Sequence, residues 1–273
     1  MTTSGSYDVH AAHRDANAEI QRLAAQARLG WEKEARTLSW FGLEDGMSLL
    51  EPGSGPGFIT ESLLNLLPNS PITCLEIDPT LLKRAEQYLG NKTNKRLHFI
   101  EGSVMDTRLA NDSFDFAYAR LLFQHLPDPI GAAKEMWRVL KPGGKLVIYD
   151  IDDEIFGIVQ PVIPEFPGIL EKCGQAQSAQ GGNRRVGRDL WRILKAAGFI
   201  NLDLEVIAAH SDNIGIEPFL PQIDPDRLLP LVKFGLMSEQ ELEKIRVSRT
   251  KFLASPEPYI LSLMLMVHGE KPK

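Results

Sequence analysis

The fold is decided by residues 49–58, which read Leu-Leu-Glu-Pro-Gly-Ser-Gly-Pro-Gly-Phe. Two apolar residues lead into an acid, and glycines at alternate positions lead into the amphipathic run 58–67. This order predicts a strand, a tight turn and a helix. The glycines let a ligand lie against free N–H groups at the start of that helix. The stretch therefore predicts the first unit of a nucleotide-binding α/β fold, and a glycine-rich turn without a ligand is the alternative.

The composition of the 273-residue chain, with 43% apolar and 24% charged residues, is typical of a soluble globular protein. Its net charge of −6 argues against a nucleic-acid surface or a polybasic membrane anchor. We see no apolar run long enough to cross a bilayer and no secretory signal in the first six residues. The two distant cysteines, Cys74 and Cys173, fit neither a disulfide framework nor a zinc site. We therefore expect a cytoplasmic protein without a bound metal.

Strand and helix patterns alternate along most of the chain. Short apolar runs predict strands at 47–50, 72–75, 97–100, 113–119, 145–149, 199–207 and 259–267. Helical periodicity and capping residues predict helices at 18–41, 58–67, 78–89, 128–140, 188–197 and 238–252. This alternation predicts a doubly wound, mostly parallel, seven-stranded α/β sheet with helices on both faces.

The chain divides into an N-terminal helical segment, residues 1–42, and a sheet domain, residues 43–273. Two insertions, 150–183 and 209–257, interrupt the alternation of strands and helices. We expect them to form a cap over the ligand site, because long insertions beside a binding edge often act as lids. The alternative is that they cover apolar sheet surface or make a dimer contact.

Several motifs occur in a fixed order along the chain. They are Glu-Pro-Gly-Ser-Gly-Pro-Gly at 51–57, Leu-Glu-Ile-Asp at 75–78, Ser-Phe-Asp-Phe at 113–116, Leu-Pro-Asp at 126–128, Arg-Val-Leu-Lys-Pro-Gly-Gly at 138–144, and the lead into the sixth strand, 187–199. In this order they resemble the class I, Rossmann-like S-adenosylmethionine-dependent methyltransferases of the small-molecule type. The resemblance covers roughly residues 19–207 and the final strand.

Two other functional classes stay open. One is an NAD(P)-dependent oxidoreductase, although the glycines at 53, 55 and 57 lack the spacing that a dinucleotide fold prefers. The other is a non-catalytic member that keeps the cofactor-binding fold.

The resemblance implies S-adenosylmethionine as the cofactor and assigns residues to it. The glycine loop, with Gly53, Ser54, Gly55 and Gly57, would contact the amino-acid end of the donor. Glu51 would anchor the ammonium side. Glu76 would accept both ribose hydroxyls, a task that suits the two oxygens of a carboxylate. As an alternative, both acids cap helix N-termini.

Further contacts are implied beyond the second strand. Ile77 would face the adenine. Ser103, after Gly102, stands where the family usually carries an acid for the adenine amine, and its hydroxyl or the backbone of Val104 would substitute for that acid. Arg120 would contact the methionine portion of the donor.

Gln26 on the N-terminal helix would reach the donor carboxylate. The alternatives are that Gln26 is a solvated helix residue and that Arg120 pairs with Asp150 or Asp115.

The implied reaction is an in-line displacement at a sulfonium methyl, in which the protein mainly positions the acceptor and excludes water. His125 is the best candidate for a general base, since its ordinary pKa lies near neutrality; a histidine bonded to backbone is the alternative. Asp150, with Asp152 and Asp153, follows the fifth strand at the ligand edge. This group suits a cationic acceptor, a base or a divalent ion.

The expected partner is a small-molecule methyl acceptor, with no nucleic acid and no membrane. Tyr7, His10 and His13 lie on an N-terminal segment that could fold over the site. We expect a monomer or a homodimer.

Overall fold

The computed structural model describes residues 6–8, 15–90 and 96–273. His10 and His13, which the sequence suggested for the rim of the site, lie outside the described residues. Tyr7 lies within them.

Eight strands form one sheet in the described part of the chain. They are β1 (Leu49–Pro52), β2 (Ile72–Glu76), β3 (Leu97–Glu101), β4 (Phe114–Arg120), β5 (Leu140–Asp150), β6 (Gly157–Gln160), β7 (Ile200–His210) and β8 (Tyr259–Glu270). β1 to β5 lie in the order β3-β2-β1-β4-β5 and run parallel. β8 pairs antiparallel with β5, β6 and β7. The predicted mostly parallel sheet of a doubly wound α/β fold is confirmed.

The sheet has one strand more than the seven predicted. The additional strand, β6, lies in the first insertion and pairs with the N-terminal half of β8. It begins at Gly157, whose φ is +138°. A Cβ at this position would lie 1.9 Å from the Leu261 carbonyl oxygen, so only glycine allows the two strands to approach. Four residues with one glycine are too short to show a strand pattern in the sequence.

Ten helices accompany the sheet in the described residues. They are α1 (Ala16–Arg28), α2 (Trp31–Trp40), α3 (Phe58–Leu66), α4 (Pro79–Leu89), α5 (Pro129–Val139), α6 (Phe166–Ser178), α7 (Leu190–Ala197), α8 (Ser211–Ile214), α9 (Leu229–Lys233) and α10 (Glu239–Leu253). The predicted capping residues are present. Asp78 accepts N–H bonds at the start of α4, and Ser238 forms a capping box with Glu241 at the start of α10.

Alternate residues of the central strands face opposite layers of helices, because successive side chains of a strand point to opposite faces. Leu50 of β1 and Ala117 of β4 belong to the buried core that contains residues of α5 and α7. Their neighbours Leu49 and Phe116 belong to the core that contains residues of α2 and α3. The central strands are therefore buried on both faces, as parallel strands usually are.

The N-terminal segment contains two helices where one continuous helix, 18–41, was predicted. α1 ends at Arg28 and α2 begins at Trp31, with Gly30 between them at a φ of +77°. The apolar spacing of the sequence indicates the buried faces but does not reveal a break between them. The break turns the chain, so that α2 packs near β7 while α1 lies beside α3.

The two insertions pack against each other. Ile169 and Cys173 of α6 contact the buried cluster that contains Leu231, Leu242 and Ile245 of the second insertion. The Lys172 ammonium also lies 2.6 Å from the Glu241 carboxylate. Apolar burial therefore joins the two insertions into one layer.

Gly30→Ala should lower the free energy of unfolding by about 1–2 kcal/mol, since a residue with a Cβ resists the left-handed conformation. Gly174 of α6 provides a matched control, because nothing lies within 4 Å of its Cβ position and its φ is not in the left-handed region. Gly174→Ala should raise stability by about 0.5–1 kcal/mol, since alanine is the better helix former. Urea unfolding of both variants makes the comparison. Equal effects at the two positions would contradict the conformational argument.

Candidate active site

A cavity of about 930 Å³ opens at the carboxyl ends of β1, β2 and β4 and continues beneath the two insertions. Parallel strands bring their carboxyl ends to one edge, which is where α/β sheets bind ligands. All the site residues predicted from the sequence line this cavity except Gly57 and Asp150.

The glycine loop lies on the cavity wall in the conformation that its glycines allow. Gly53 has a φ of +70° and Gly55 a φ of +55°. A Cβ on Gly53 would lie 3.0 Å from the Leu122 side chain, whereas no atom lies within 4 Å of the Cβ position of Gly55. At position 53 the positive φ and the nearby Leu122 side chain both require glycine. At position 55 the absent side chain leaves space in which a ligand can approach the backbone.

Gly57 does not line the cavity, and its surroundings give it a structural role. It precedes α3 with a φ of +86°, and its Cβ would lie 2.9 Å from Leu89 and 3.1 Å from Ala85 of α4. The missing side chain allows α3 and α4 to pack closely. The sequence spacing of the three glycines does not reveal that Gly57 packs between helices while Gly53 and Gly55 line the cavity.

Glu51 is the penultimate residue of β1 and is buried in the cavity wall. The Thr60 hydroxyl donates a hydrogen bond of 2.7 Å to its carboxylate. Burial raises the pKa of Glu51 to about 8, although Thr60 and the Arg120 charge oppose this rise. Glu51 is therefore largely protonated at neutral pH until a positive charge lies beside it.

Glu76 ends β2 and holds the glycine loop. Its carboxylate accepts N–H bonds from Gly55 at 2.8 Å, Ile77 at 2.9 Å and Asp78 at 3.0 Å. Burial raises the pKa of Glu76 in spite of these bonds. Glu76 lies on the cavity wall, and the capping alternative does not hold for it, since Asp78 is the residue that caps α4.

Beyond Glu76, the cavity wall consists of Ile77 and of the segment 102–104 that follows β3. The Ile77 side chain is 41% exposed. Gly102, Ser103 and Val104 follow β3, and the Ser103 hydroxyl accepts an N–H bond of 3.2 Å from Met105. These residues form a flat, weakly polar surface next to Glu76.

Arg120 pairs with a residue that the sequence analysis did not identify. Its Nε and Nη2 donate to the Glu34 carboxylate of α2 at 2.8 and 2.9 Å, and Nη2 also donates to the Gln26 carbonyl at 3.1 Å. The alternative pairings with Asp150 or Asp115 were wrong, since Asp115 binds Lys141. Glu34 is fully buried, and an acid on the apolar side of a predicted helix was the available signal.

Comparison with known proteins adds to this geometry. Residues 50–148 match the model of a methyltransferase domain. Malonyl-[acyl-carrier protein] O-methyltransferase of Paenibacillus sp. (strain JDR-2) is 32% identical over 251 residues, which cover 81% of this chain and 83% of that protein. The chain belongs to the S-adenosylmethionine-dependent methyltransferases.

Two more distant relatives have the same activity in their names. Demethylmenaquinone methyltransferase of Geobacillus stearothermophilus is 24% identical, with coverage of 75% of this chain and 94% of that protein. A structure of Haemonchus contortus phosphoethanolamine N-methyltransferase 2 with S-adenosylhomocysteine has a TM-score of 0.58 and 17% identity. It covers 89% of this chain, which spans about half of that protein, 53%, and the likeness shows the fold alone. The oxidoreductase alternative is not favoured.

The glycine-loop side of the cavity fits the methyl donor of this family. The Ser54 hydroxyl is buried in the wall with no hydrogen-bond partner among the described residues. A polar ligand would satisfy this hydroxyl, and a cationic ammonium would restore the ionised form of Glu51. Transfer of the methyl group of S-adenosylmethionine is therefore the reaction of this enzyme.

The base predicted in this methyltransferase, His125, lacks the pKa on which the prediction depends. Burial, together with the charges of Arg184 and Arg22, lowers the pKa of His125 to about 3. Its Nδ1 lies 2.9 Å from the Ser6 hydroxyl and 3.4 Å from the Gln177 amide. The imidazole is therefore neutral at pH 7 and a weak base. The sequence could not show this burial, because it comes from the N-terminal segment and the first insertion.

Asp150, the second catalytic candidate, is turned toward the backbone. Its carboxylate accepts N–H bonds from Gln124 at 3.1 Å and Ile151 at 2.8 Å, and it is fully buried. Burial raises its pKa to about 7. The prediction that Asp150 faces the ligand is corrected accordingly.

The two following acids also have partners in the chain. Asp152 binds Arg188 and Asp153 binds Arg184, each at 2.5 Å. Among residues 6–8, 15–90 and 96–273, no group of acids, histidines and cysteines is arranged to hold a metal ion. The same ranges contain no helix that is long and apolar enough to cross a membrane.

The N-terminal segment contributes side chains to the site that the sequence analysis largely missed. The Tyr7 hydroxyl donates to Glu19 at 2.9 Å, and Arg22 lies 2.6 Å from the same carboxylate. Arg22 also donates to the Gln222 amide oxygen at 2.8 Å. The segment thus connects the donor side to the second insertion.

The raised pKa of Glu51 has a consequence for stability. Its pKa in the folded enzyme, about 8, exceeds the ordinary value of 4.5, so the folded state binds one more proton between these values. The contribution of protonated Glu51 to the free energy of unfolding is fully present below pH 4.5 and is lost as the pH rises through 8. Glu51→Gln should therefore flatten the fall in unfolding free energy between pH 6 and 7, by up to about 1.4 kcal/mol per pH unit.

Urea unfolding at the two pH values measures this slope. Glu44→Gln provides the control, since Glu44 is exposed just before β1. If the two variants have the same slope, Glu51 does not titrate in this range.

Proposed function

We propose that the enzyme transfers the methyl group of S-adenosylmethionine to a small-molecule acceptor held beneath a cap formed by residues 150–183 and 209–257. The observation that carries the proposal is the single cavity, which joins the glycine loop to the interior of both insertions. Its volume of about 930 Å³ lies in the upper part of the range for ligand sites, which supports two ligands side by side.

The donor would lie at the glycine-loop end. Glu51 and the Ser54 hydroxyl are the polar groups for its amino-acid portion, with Gly53 and Gly55 allowing it to approach the backbone. Glu76 would accept the ribose hydroxyls beside the loop that it holds. This assignment gives the buried Ser54 hydroxyl, which has no hydrogen-bond partner among the described residues, a partner in the donor.

Other residues would complete the donor site. Ile77 would pack against the adenine, with Gly102, Ser103 and Val104 opposite. Gln26 and Arg120 would reach the methionine portion, and Glu34 fixes the position of the Arg120 guanidinium.

The acceptor would lie at the cap end, where the wall is largely apolar. Phe156 and Phe166, with ring centroids 5.2 Å apart, come from the first insertion. Phe219 and Ile245 come from the second. Walls of this kind exclude water and orient an apolar body.

The bound donor supplies a methyl group on a positively charged sulfur. The residues of the chain then position the acceptor in line and keep water out. His125 is neutral and lines the cavity, so it would act as a hydrogen-bonding residue for the acceptor and not as a strong base. Asp150 would hold the turn after β4 through the Gln124 N–H.

The choice of a small acceptor rests on charge and shape. The net charge of −6 does not favour nucleic acid, and the cavity continues beneath both insertions, where apolar side chains line it. The curated relatives carry different acceptors in their names, including malonyl-[acyl-carrier protein] and demethylmenaquinone. The acceptor therefore has to be inferred from the chamber itself.

Glu76→Ala should weaken the binding of S-adenosylmethionine about 100-fold, since hydrogen bonds to a charged group contribute about 1.5–3 kcal/mol each. Titration calorimetry measures this affinity. Glu101→Ala is the matched control, because Glu101 is the partner of Glu76 in the register of β2 and β3 but is exposed.

Circular dichroism of both variants checks that the fold is intact. Undiminished binding by folded Glu76→Ala enzyme would exclude the ribose role. A non-catalytic member would bind the donor normally and transfer no methyl group.

A further inference from the structure

Two arginines of the second insertion line the cavity without satisfying their buried nitrogens. The Nε atoms of Arg227 and Arg249 are both buried, and neither has a hydrogen-bond partner among the described residues. Both side chains are half-buried as a whole, but a buried N–H group is normally paired, because an unsatisfied polar group loses its hydration without compensation. The two unpaired Nε atoms are therefore unusual and indicate that a ligand binds them.

Arg227 lies in the 3-10 turn Pro225–Leu228. One of its terminal nitrogens donates to the Gln222 carbonyl at 2.5 Å, and no carboxylate of the described chain forms a salt bridge with it. Burial and the positive charges of Arg22 and Arg184 lower its pKa to about 10. Arg227 thus lies near two other arginines and has no salt bridge among the described residues.

The neighbouring arginines are paired, in contrast to Arg227. Arg22 binds Glu19 and Arg184 binds Asp153. The further cavity acids Asp8 and Asp224 have interactions of their own. Among the cavity arginines of the described chain, Arg227 and Arg249 are therefore the two without an ion pair, and both belong to the second insertion.

Arg249 is positioned on the same wall by α10. It follows Ile245 by four residues, so both side chains lie on one face of the helix, and both line the cavity. Arg246, one turn before Arg249, lies 3.1 Å from Asp226 and joins α10 to the turn that carries Arg227. In the described part of the molecule, the Arg249 guanidinium has neither a hydrogen bond nor an ion pair.

We propose that Arg227 and Arg249 bind an oxyanion of the methyl acceptor, a carboxylate or a phosphate, while the apolar wall holds the rest of that molecule. The proposal rests on the function proposed above, in which the acceptor lies beneath the cap. Guanidinium groups bind both kinds of oxyanion through paired N–H donors, and an anion would satisfy the buried Nε atoms.

The test uses four probes that share one apolar chain: octanoate, octyl phosphate, octan-1-ol and octylamine. Their affinities for the full-length enzyme with S-adenosylhomocysteine are measured by titration calorimetry. At least one of the two anions should bind about tenfold more tightly than octan-1-ol, and octylamine should bind most weakly. The order of octanoate and octyl phosphate distinguishes a carboxylate site from a phosphate site.

Variants assign the preference to the two arginines. Arg249→Gln and Arg227→Gln should each reduce affinity for the preferred anion about tenfold and leave that for octan-1-ol unchanged. Arg246→Gln is the matched control, because Arg246 lies one turn away on the same helix, is partly exposed and pairs with Asp226. Its anion affinity should stay within about twofold of the unmodified enzyme. The unfolding midpoint of each variant is measured, and Arg249→Gln should not lower it because Arg249 has no partner to lose.

Two outcomes overturn the proposal. One is that octan-1-ol binds as tightly as both anions. The other is that Arg249→Gln and Arg246→Gln have the same affinity for the anions. The calorimetry also reports S-adenosylhomocysteine: if the unmodified enzyme does not bind it, the proposed function fails, whereas normal binding without an anion preference contradicts the arginine site alone.

Discussion

The hydrogen bond from the Gly55 N–H to the Glu76 carboxylate joins the first two units of the sheet. It connects the loop after β1 to the end of β2, and the same carboxylate accepts the N–H groups that lead into α4. The loop can make this bond because Gly53 and Gly55 adopt positive φ angles. The Gly53 and Ser54 N–H groups also donate to the Leu75 carbonyl, so several bonds to the end of β2 hold the loop that carries Ser54 in the cavity wall.

If Arg227 and Arg249 bind an anionic acceptor as proposed, the two ends of the cavity prefer opposite charges. Acids, Glu51 and Glu76, lie at the glycine-loop end, where a cationic sulfonium donor suits the family. Unpaired arginines, Arg227 and Arg249, lie at the cap end. This separation would keep the cationic donor from occupying the acceptor chamber and would attract an anionic acceptor to it. A donor and an anionic acceptor would also satisfy the unpaired polar atoms of the wall, which are the Ser54 hydroxyl and the Nε atoms of Arg227 and Arg249.

The sequence predicted the features that depend on local chemistry. Apolar runs and capping residues such as Asp78 and Ser238 indicated the strands and helices, and the alternation of the two indicated the sheet. The break at Gly30 was missed because apolar spacing continues across it. The β6 strand was missed because its pairing with β8 is a long-range contact in a segment with no strand pattern.

The site could be predicted only in part, because long-range contacts do not show in the sequence pattern. Residues at strand ends, such as Glu51 and Glu76, lie on the cavity wall because the topology of a parallel sheet fixes that edge. The partners of buried charges depend on elements distant in sequence. Glu34 reaches Arg120 from α2, and the Gln124 N–H takes the Asp150 carboxylate. The sequence did not indicate a role for Arg227 and Arg249, because it does not show that their Nε atoms are buried.

The most direct test of the central claim is methyl transfer from S-adenosylmethionine labelled with ¹³C in its methyl group. The enzyme is incubated with the donor and with anionic, neutral and cationic fractions of a metabolite extract, with heat-denatured enzyme as the control. Mass spectrometry then identifies compounds that have gained the label. If the acceptor is an anion, we expect a labelled product from the anionic fraction. A product from the cationic fraction alone, or no labelled product from any fraction by an enzyme that binds the donor, would contradict it.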